Sequence, residues 1–422
     1  MLDKNTLFRI FEESKDKFKI KIKKRQLLDN AIKLLDFKEI IAITGVRRSG
    51  KTYLMYELMQ YLIKKVNKES IVYINFEDER LSFLETKDLD KIFEYFFEFR
   101  KPEGKIYFFF DEIQNVPKWE KWIARSYEKY KFIISGSNSS LLSSELTSAI
   151  AGRYVEIHMY PFSFKEICDD NLSIYKIEDV GKIKKQYNYY LEFGGFPEII
   201  INRRKELLQE YYRSILLKDV ISRYNIKYKD VLEKLSLLIS SNIGKLFSLY
   251  KLNKEFDIGI NTIKNYINYL EKSFLFFSLS KFDYSLRKQM FNPKKFYSID
   301  WALSNSINFK FSEDYGRILE NVVFIELKRM NNIVYYHKNK HECDFVIKKG
   351  LKIVNAIQVT KELNDENKQR EINGLIEALK TYKLKEGTIL TAEQEKTFTK
   401  NDKQGKKYKI IVKPIWKYLL EK

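Results

Sequence analysis

Residues 40–52, IIAITGVRRSGKT, constrain the fold of this chain more than any other stretch. An apolar, β-rich run, Ile40-Ile41-Ala42-Ile43, breaks at Gly45 and ends in Gly50-Lys51-Thr52. A helical pattern follows from Tyr53 to Leu62. Strand, G-x-x-x-x-G-K-T, helix is the context that a phosphate-binding loop requires. Its glycines let backbone N–H groups curl around an anion, and the first turn of the helix adds the positive end of its dipole. Gly45, Val46, Arg47, Arg48, Ser49 and Gly50 form the loop on this reading, with Lys51, Thr52 and Tyr53 opening the helix. Lys51 then reaches the β- and γ-phosphates and Thr52 holds Mg²⁺. Arg47 and Arg48 add positive charge inside the loop. A glycine turn with a chance lysine is the bland alternative, and the correct flanks on both sides argue against it.

Strands and helices alternate from residue 39 onward. Strands are expected at 40–44, 70–76, 105–110, 132–135 and 154–160, and helices at 26–37, 89–99, 119–129 and 140–150. Such alternation implies a parallel sheet with helices on both faces. Ligands of such sheets sit at the carboxyl ends of the strands. Asp111 follows four large apolar residues, so a buried strand delivers its carboxylate toward Mg²⁺. Glu112 points the other way and is the candidate general base for an attacking water. Ser137 and Asn138 end the next strand, within hydrogen-bonding range of a γ-phosphate or of ordinary turn groups. Arg153 precedes the fifth strand and is a candidate to stabilise transition-state charge, in cis or from a neighbouring subunit; a surface salt bridge is its bland reading. No N-K-x-D guanine motif is present, which favours ATP.

The 422 residues exceed one ordinary core, so several domains are expected. The boundaries read as a basic lead-in and helix at 1–38 and a nucleotide-binding core at 39–165. A helical part follows at 166–225, then a small helix-turn-helix unit with a β wing at 226–289, and a mixed α/β part at 290–422. In the small unit, Asn261 reads as the cap of a second helix whose Lys264, Asn265 and Asn268 are able to meet phosphates or bases. Tyr266, Ile267, Tyr269 and Leu270 form its core face. The Lys-rich stretch at 396–409 reads as a solvated turn. Lys and Arg outnumber Asp and Glu by 77 to 57, a formal charge of +20, which suggests a polyanionic partner such as nucleic acid. A Lys-rich codon bias explains the same charge without a partner. Two cysteines exclude a disulfide framework, the charged start is no signal peptide, and no apolar run is long enough to span a membrane. A cytoplasmic protein is the expectation.

GVRRSGKT, YINFEDERL, FFFDEIQNV, SGSNSSLLS and AGRY, together with GGFPE at 194–198 and GRILEN at 316–321, resemble the archaeal and bacterial AAA-type ATPases with a C-terminal domain of unknown function. The resemblance implies an additional-strand P-loop core with sheet order 5-1-4-3-2. It implies ATP with Mg²⁺ as cofactors, Lys51 and Thr52 in the first motif, and Asp111 and Glu112 in the second. Ser137 and Asn138 fall at its sensor position and Arg153 at its conserved arginine. The small unit resembles a winged helix. The C-terminal part resembles the PD-(D/E)XK nuclease fold, with Glu320 as helix acid and Asp344 as central acid. Gln358-Val359-Thr360 stands where that fold has Glu-x-Lys, and Lys361 lies one residue on, which on a strand points it to the opposite face. The expectation is a remnant without its lysine, hence an ATPase coupled to DNA binding rather than a nuclease. A nucleotide-switched scaffold for a protein partner is one alternative and an ATP-regulated nuclease another, and an oligomer is possible for each.

Overall fold

A computed structural model describes residues 3–20, 22–142, 149–308, 315–402 and 405–421. The chain divides into two compact units, Met1–Pro161 and Phe162–Lys422. Among the described residues no helix is long and apolar enough to cross a membrane.

The first unit is built on five strands: β1 (Ile40–Thr44), β2 (Ile71–Asn75), β3 (Tyr107–Asp111), β4 (Lys131–Gly136) and β5 (Tyr154–His158). They are ordered β2-β3-β4-β1-β5 and all pair in parallel, the order the family resemblance implies. Strands buried on both faces read as continuous apolar runs, and alternate residues serve opposite sides. Ile40, Ala42, Phe108, Phe110, Phe132 and Ile134 enter one core cluster, while Ile41, Ile43, Tyr107, Phe109 and Ile133 enter the other. α1 (Lys4–Asp16), α4 (Leu89–Phe99) and α5 (Trp119–Ser126) cover the first face through Leu7, Phe11, Ile92, Phe96, Trp119 and Trp122. α2 (Leu28–Leu34) and α3 (Lys51–Leu62) cover the second through Ala31, Leu54, Met55, Leu58 and Met59. The basic lead-in therefore contains a helix, α1, capped by the Asp3 carboxylate accepting from the Thr6 N–H at 3.0 Å and anchored by its apolar stripe. The helix expected at 140–150 lies largely outside the described residues.

In the second unit, β6 (Leu246–Phe247), β7 (Phe276–Leu279) and β8 (Lys294–Ser298) form a small antiparallel sheet ordered β6-β8-β7. Helices Leu249–Phe256 and Ile260–Lys272 accompany it, the second burying Ile263, Tyr266, Ile267 and Leu270. Lys264, Asn265 and Asn268 are exposed, as expected of its outer face. The helix starts one residue before Asn261, with Gly259 at the cap position and no capping side chain, so Asn261 is an exposed helical residue and not the cap.

The larger sheet comprises β9 (Ile333–Lys338), β10 (Glu342–Lys349), β11 (Lys352–Val359), β12 (Glu386–Thr391), β13 (Lys396–Asn401) and β14 (Lys407–Pro414). Its order is β13-β14-β12-β11-β10-β9. The Lys-rich stretch is thus not a turn but most of a hairpin, with Lys396 paired to Val412 and Asn401 to Lys407. Tyr408, Ile410 and Val412 enter the core while alternate lysines face out.

Gly194, in the GGFPE motif, has a fold-level reason. Its φ is +75°, and a Cβ there would lie 2.4 Å from Asp300 Oδ1. The same carboxylate accepts the Gly195 N–H and caps the helix Trp301–Ile307 through the Leu303 N–H at 3.1 Å. Only glycine fits at 194.

Candidate nucleotide site

The carboxyl ends of β1, β3 and β4 converge on the glycine loop. The Ser49 N–H donates to Val46 O at 3.2 Å, and Gly50 (φ +100°) turns the chain into α3. Gly45 must be glycine, because a Cβ would lie 2.2 Å from Met159 O on the neighbouring chain after β5. Arg25 braces the loop from outside. Its guanidinium donates to Ser49 O at 2.9 Å and to Tyr160 O at 2.7 Å, and it is 3% exposed. No pattern in the sequence marks this arginine, because its partners lie 24 and 135 residues away.

Lys51 is buried, its Nζ donating to Gly45 O at 3.1 Å and Val46 O at 3.3 Å, and lying 3.4 Å from Glu112 Oε1. The loop thus folds its own carbonyls over the ammonium. Thr52 Oγ1 donates to Asp111 Oδ2 at 2.6 Å. Asp111 is the last residue of β3, within the strand rather than beyond it. Tyr73 OH donates to the same Oδ2 at 2.9 Å, and Ser135 Oγ donates to Oδ1. Burial, then the neighbouring Glu112 charge, push the Asp111 carboxyl above its usual range; its three hydroxyl partners oppose this.

Glu112 adopts a left-handed backbone, φ +53°, at a cost of roughly 1–2 kcal/mol for a residue with a Cβ. That turn swings its side chain back to the loop. Oε2 accepts from Gln114 Nε2 at 2.5 Å and from the Ser137 N–H at 3.1 Å, while its own N–H donates to Ser135 Oγ at 3.0 Å. Burial raises the pKa of such a carboxyl. Lys51, Gln114, Arg47 and the Ser137 amide outweigh it here, and Glu112 is held below the ordinary glutamate range. Two adjacent acids are therefore driven apart, Asp111 upward and Glu112 downward.

Ser137 takes part through its backbone amide, and Asn138 is buried beside it. Arg47 donates to Glu77 Oε1 at 2.8 Å, Arg48 is exposed in a left-handed backbone (φ +71°), and Tyr53 is half exposed with its ring edge-on to Tyr56. Tyr73, Ser135 and Gln114 complete the site and were missed by motif reading. Arg153 stands apart. The parallel register Ile40–Tyr154 places it at the amino end of β5, whereas the loop follows the carboxyl end of β1. A strand length, about 16 Å for five residues, separates the two edges, so Arg153 does not reach the phosphates of its own chain. It packs on the Tyr127 ring at 4.9 Å and donates to Ala149 O at 3.3 Å.

A triphosphate with Mg²⁺ fits these residues. Among the described residues Ser49 Oγ, buried in the loop, has no hydrogen-bond partner. The Thr52 hydroxyl and Asp111 carboxylate form an oxygen pair of the kind hard cations prefer.

The two C-terminal acids also come together. Glu320, on the helix Tyr315–Arg329, and Asp344, on β10, share the Lys295 ammonium, at 3.0 and 3.2 Å. A lysine from β8 thus stands among these acids, while Gln358-Val359-Thr360 itself carries none, as its sequence reads. Lys361 follows the end of β11, so strand alternation does not govern it, and it lines the same cavity as Asp344.

The AAA domain model, AAA_14, matches residues 37–168, and a domain of unknown function, DUF8612, matches residues 184–314. The chain is 34% identical over its whole length to "Uncharacterized protein MJ1544" of Methanocaldococcus jannaschii, covering 96% of that protein. It is 31% identical to an "Uncharacterized protein" of Haemophilus influenzae, over 86% of this chain and 92% of that one. Among solved structures, the Aeropyrum pernix ORC1 protein in complex with DNA gives a TM-score of 0.31 at 13% identity, over 66% of this chain and 90% of that one.

Proposed function

The chain belongs to the same family as MJ1544 of Methanocaldococcus jannaschii and carries an AAA domain, and from that premise we propose that it is a Mg²⁺-dependent ATPase whose C-terminal region binds nucleic acid. The observation carrying the first half is the pairing of Lys51 with Glu112 at 3.4 Å beside the Thr52–Asp111 pair at 2.6 Å. Binding of ATP brings phosphate oxygens to the loop, which compete with Gly45 O and Val46 O for the ammonium. Thr52 and Asp111 would hold Mg²⁺, which when bound would supply charge neutralisation to the phosphates. As Lys51 turns to the phosphates, Glu112 loses its cationic partner and is released to accept a proton from the attacking water. Ser137 N–H and Gln114 keep its carboxylate aimed during that step. Arg153 is proposed to act on the site of a neighbouring subunit of an oligomer.

The nucleic-acid half rests on the +20 charge and on the exposed Lys264, Asn265 and Asn268 of the second helix of the small unit. The five segments drawn from the sequence, 1–38, 39–165, 166–225, 226–289 and 290–422, are proposed as its working parts. A titration with fluorescent duplex and single-stranded DNA at two salt concentrations tests this half. Binding through phosphates makes log affinity fall with log salt by about 0.9 for each contact on a duplex. Absence of binding at low salt would contradict it.

A further inference from the structure

Lys295 lies on β8 with 2% of its surface exposed, and it meets three carboxylates: Glu320 at 3.0 Å, Glu342 at 2.8 Å and Asp344 at 3.2 Å. They come from one helix and one strand of the larger sheet, so this is a built centre and not a surface run. Burial disfavours an ammonium, yet these acids outweigh it and hold Lys295 charged, well above its ordinary pKa. Its Nζ occupies the point on which the three carboxylates converge, where a second cation would sit against its charge.

The rest of the centre is balanced too. Tyr297 OH donates to Glu320 Oε1 at 2.6 Å, and burial pushes the Glu320 carboxyl up to about 7. Glu342 also pairs with Lys338 at 3.0 Å, and Asp344 accepts the Val359 N–H at 3.0 Å. Glu371 accepts from Arg370 and from Gln358 Nε2. The floor of the adjoining cavity, of about 550 Å³, is therefore neutralised from within the chain. Its lining continues to the exposed Lys340 and Lys361, the latter with its Nζ 5.9 Å from the centre of the Tyr315 ring.

We propose that Lys295 is the resident cation of this cavity, and that the cavity takes a nucleic-acid phosphate at its Lys340 and Lys361 rim without a divalent metal. The inference deepens the nucleic-acid half of the reading above and does not depend on the ATP half.

The test is anisotropy of a short fluorescent single-stranded oligonucleotide on the full, nucleotide-free chain, in EDTA and in Mn²⁺. The expected result is an affinity within twofold in the two buffers. Lys340→Glu with Lys361→Glu, both surface changes, weakens it at least tenfold and leaves ATP binding intact. Lys295→Met, followed by Mn²⁺ electron paramagnetic resonance, gains one ion per chain that the added Asp344→Asn removes. Binding that needs Mn²⁺ in the wild type, or that survives the double charge reversal unchanged, overturns the proposal while leaving nucleic-acid binding standing. No binding by the wild type in either buffer overturns both.

Discussion

Replacing Lys51 by alanine is expected to weaken ATP binding at least a hundredfold, about 2.7 kcal/mol or more, in calorimetric titration with a non-hydrolysable analogue. The lost group is the buried ammonium at the mouth of the loop, already preorganised by Gly45 O and Val46 O and able to exchange them for phosphate oxygens. The change also removes the cation 3.4 Å from Glu112, so a buried carboxylate keeps its neutral donors and the charge of Arg47 alone. Breaking one side of a buried pair costs about 3–5 kcal/mol where the other charge persists. Glu112 will instead rise in pKa, and thermal melting should show a smaller loss for Lys51→Ala with Glu112→Gln than the two single losses summed. An analogue affinity within threefold of wild type would remove Lys51 from the site.

Glu112→Gln is expected to leave ATP affinity within about threefold and to lower turnover by about 10²–10⁴-fold, the usual range for a general base. The amide keeps the shape, and the left-handed turn at 112 is unaffected, so a loss confined to turnover isolates proton acceptance from positioning. The pH profile gives a second handle. Glu112 is held low, so it stays ionised well into the acid range; Asp111 is held high and takes up its proton first as pH falls. In the nucleotide-free chain the acid limb, read in kcat/KM, is therefore that of Asp111, and higher Mg²⁺ should move it to lower pH because the metal competes with the proton. An acid limb indifferent to Mg²⁺ would contradict that assignment.

The glycine loop, Asp111 and Glu112 were legible in the sequence because a local pattern makes them: an apolar run sets the strand, and the residues at its end inherit their position. The alternation of Ile40 with Ile41 and of Phe108 with Phe109 between two cores follows from the same pleat. What was not legible depends on contacts made far along the chain. Arg25, Tyr73 and Ser135 reach the site across sheet neighbours, and Lys295 looks like half of an ordinary Lys-Lys pair until β8 turns it toward Glu320 and Asp344. Arg153 reads as a site residue from its neighbours in sequence, whereas parallel pairing puts the start of β5 at the amino ends of the strands, opposite the glycine loop. The 396–409 stretch misled because an edge hairpin with lysine on its outer face has the composition of a turn; only the period of Tyr408, Ile410 and Val412 distinguishes it.

The central claim is that Lys51, Thr52, Asp111 and Glu112 form a working Mg·ATP hydrolysis centre. Inorganic phosphate release from ATP by the wild-type chain, compared in Mg²⁺ and in EDTA and beside Glu112→Gln, tests it most directly. The expected result is saturable release in Mg²⁺ that vanishes in EDTA and falls by two orders of magnitude or more in the variant. Tight ATP binding with no release in Mg²⁺, or equal release by wild type and Glu112→Gln, would contradict it.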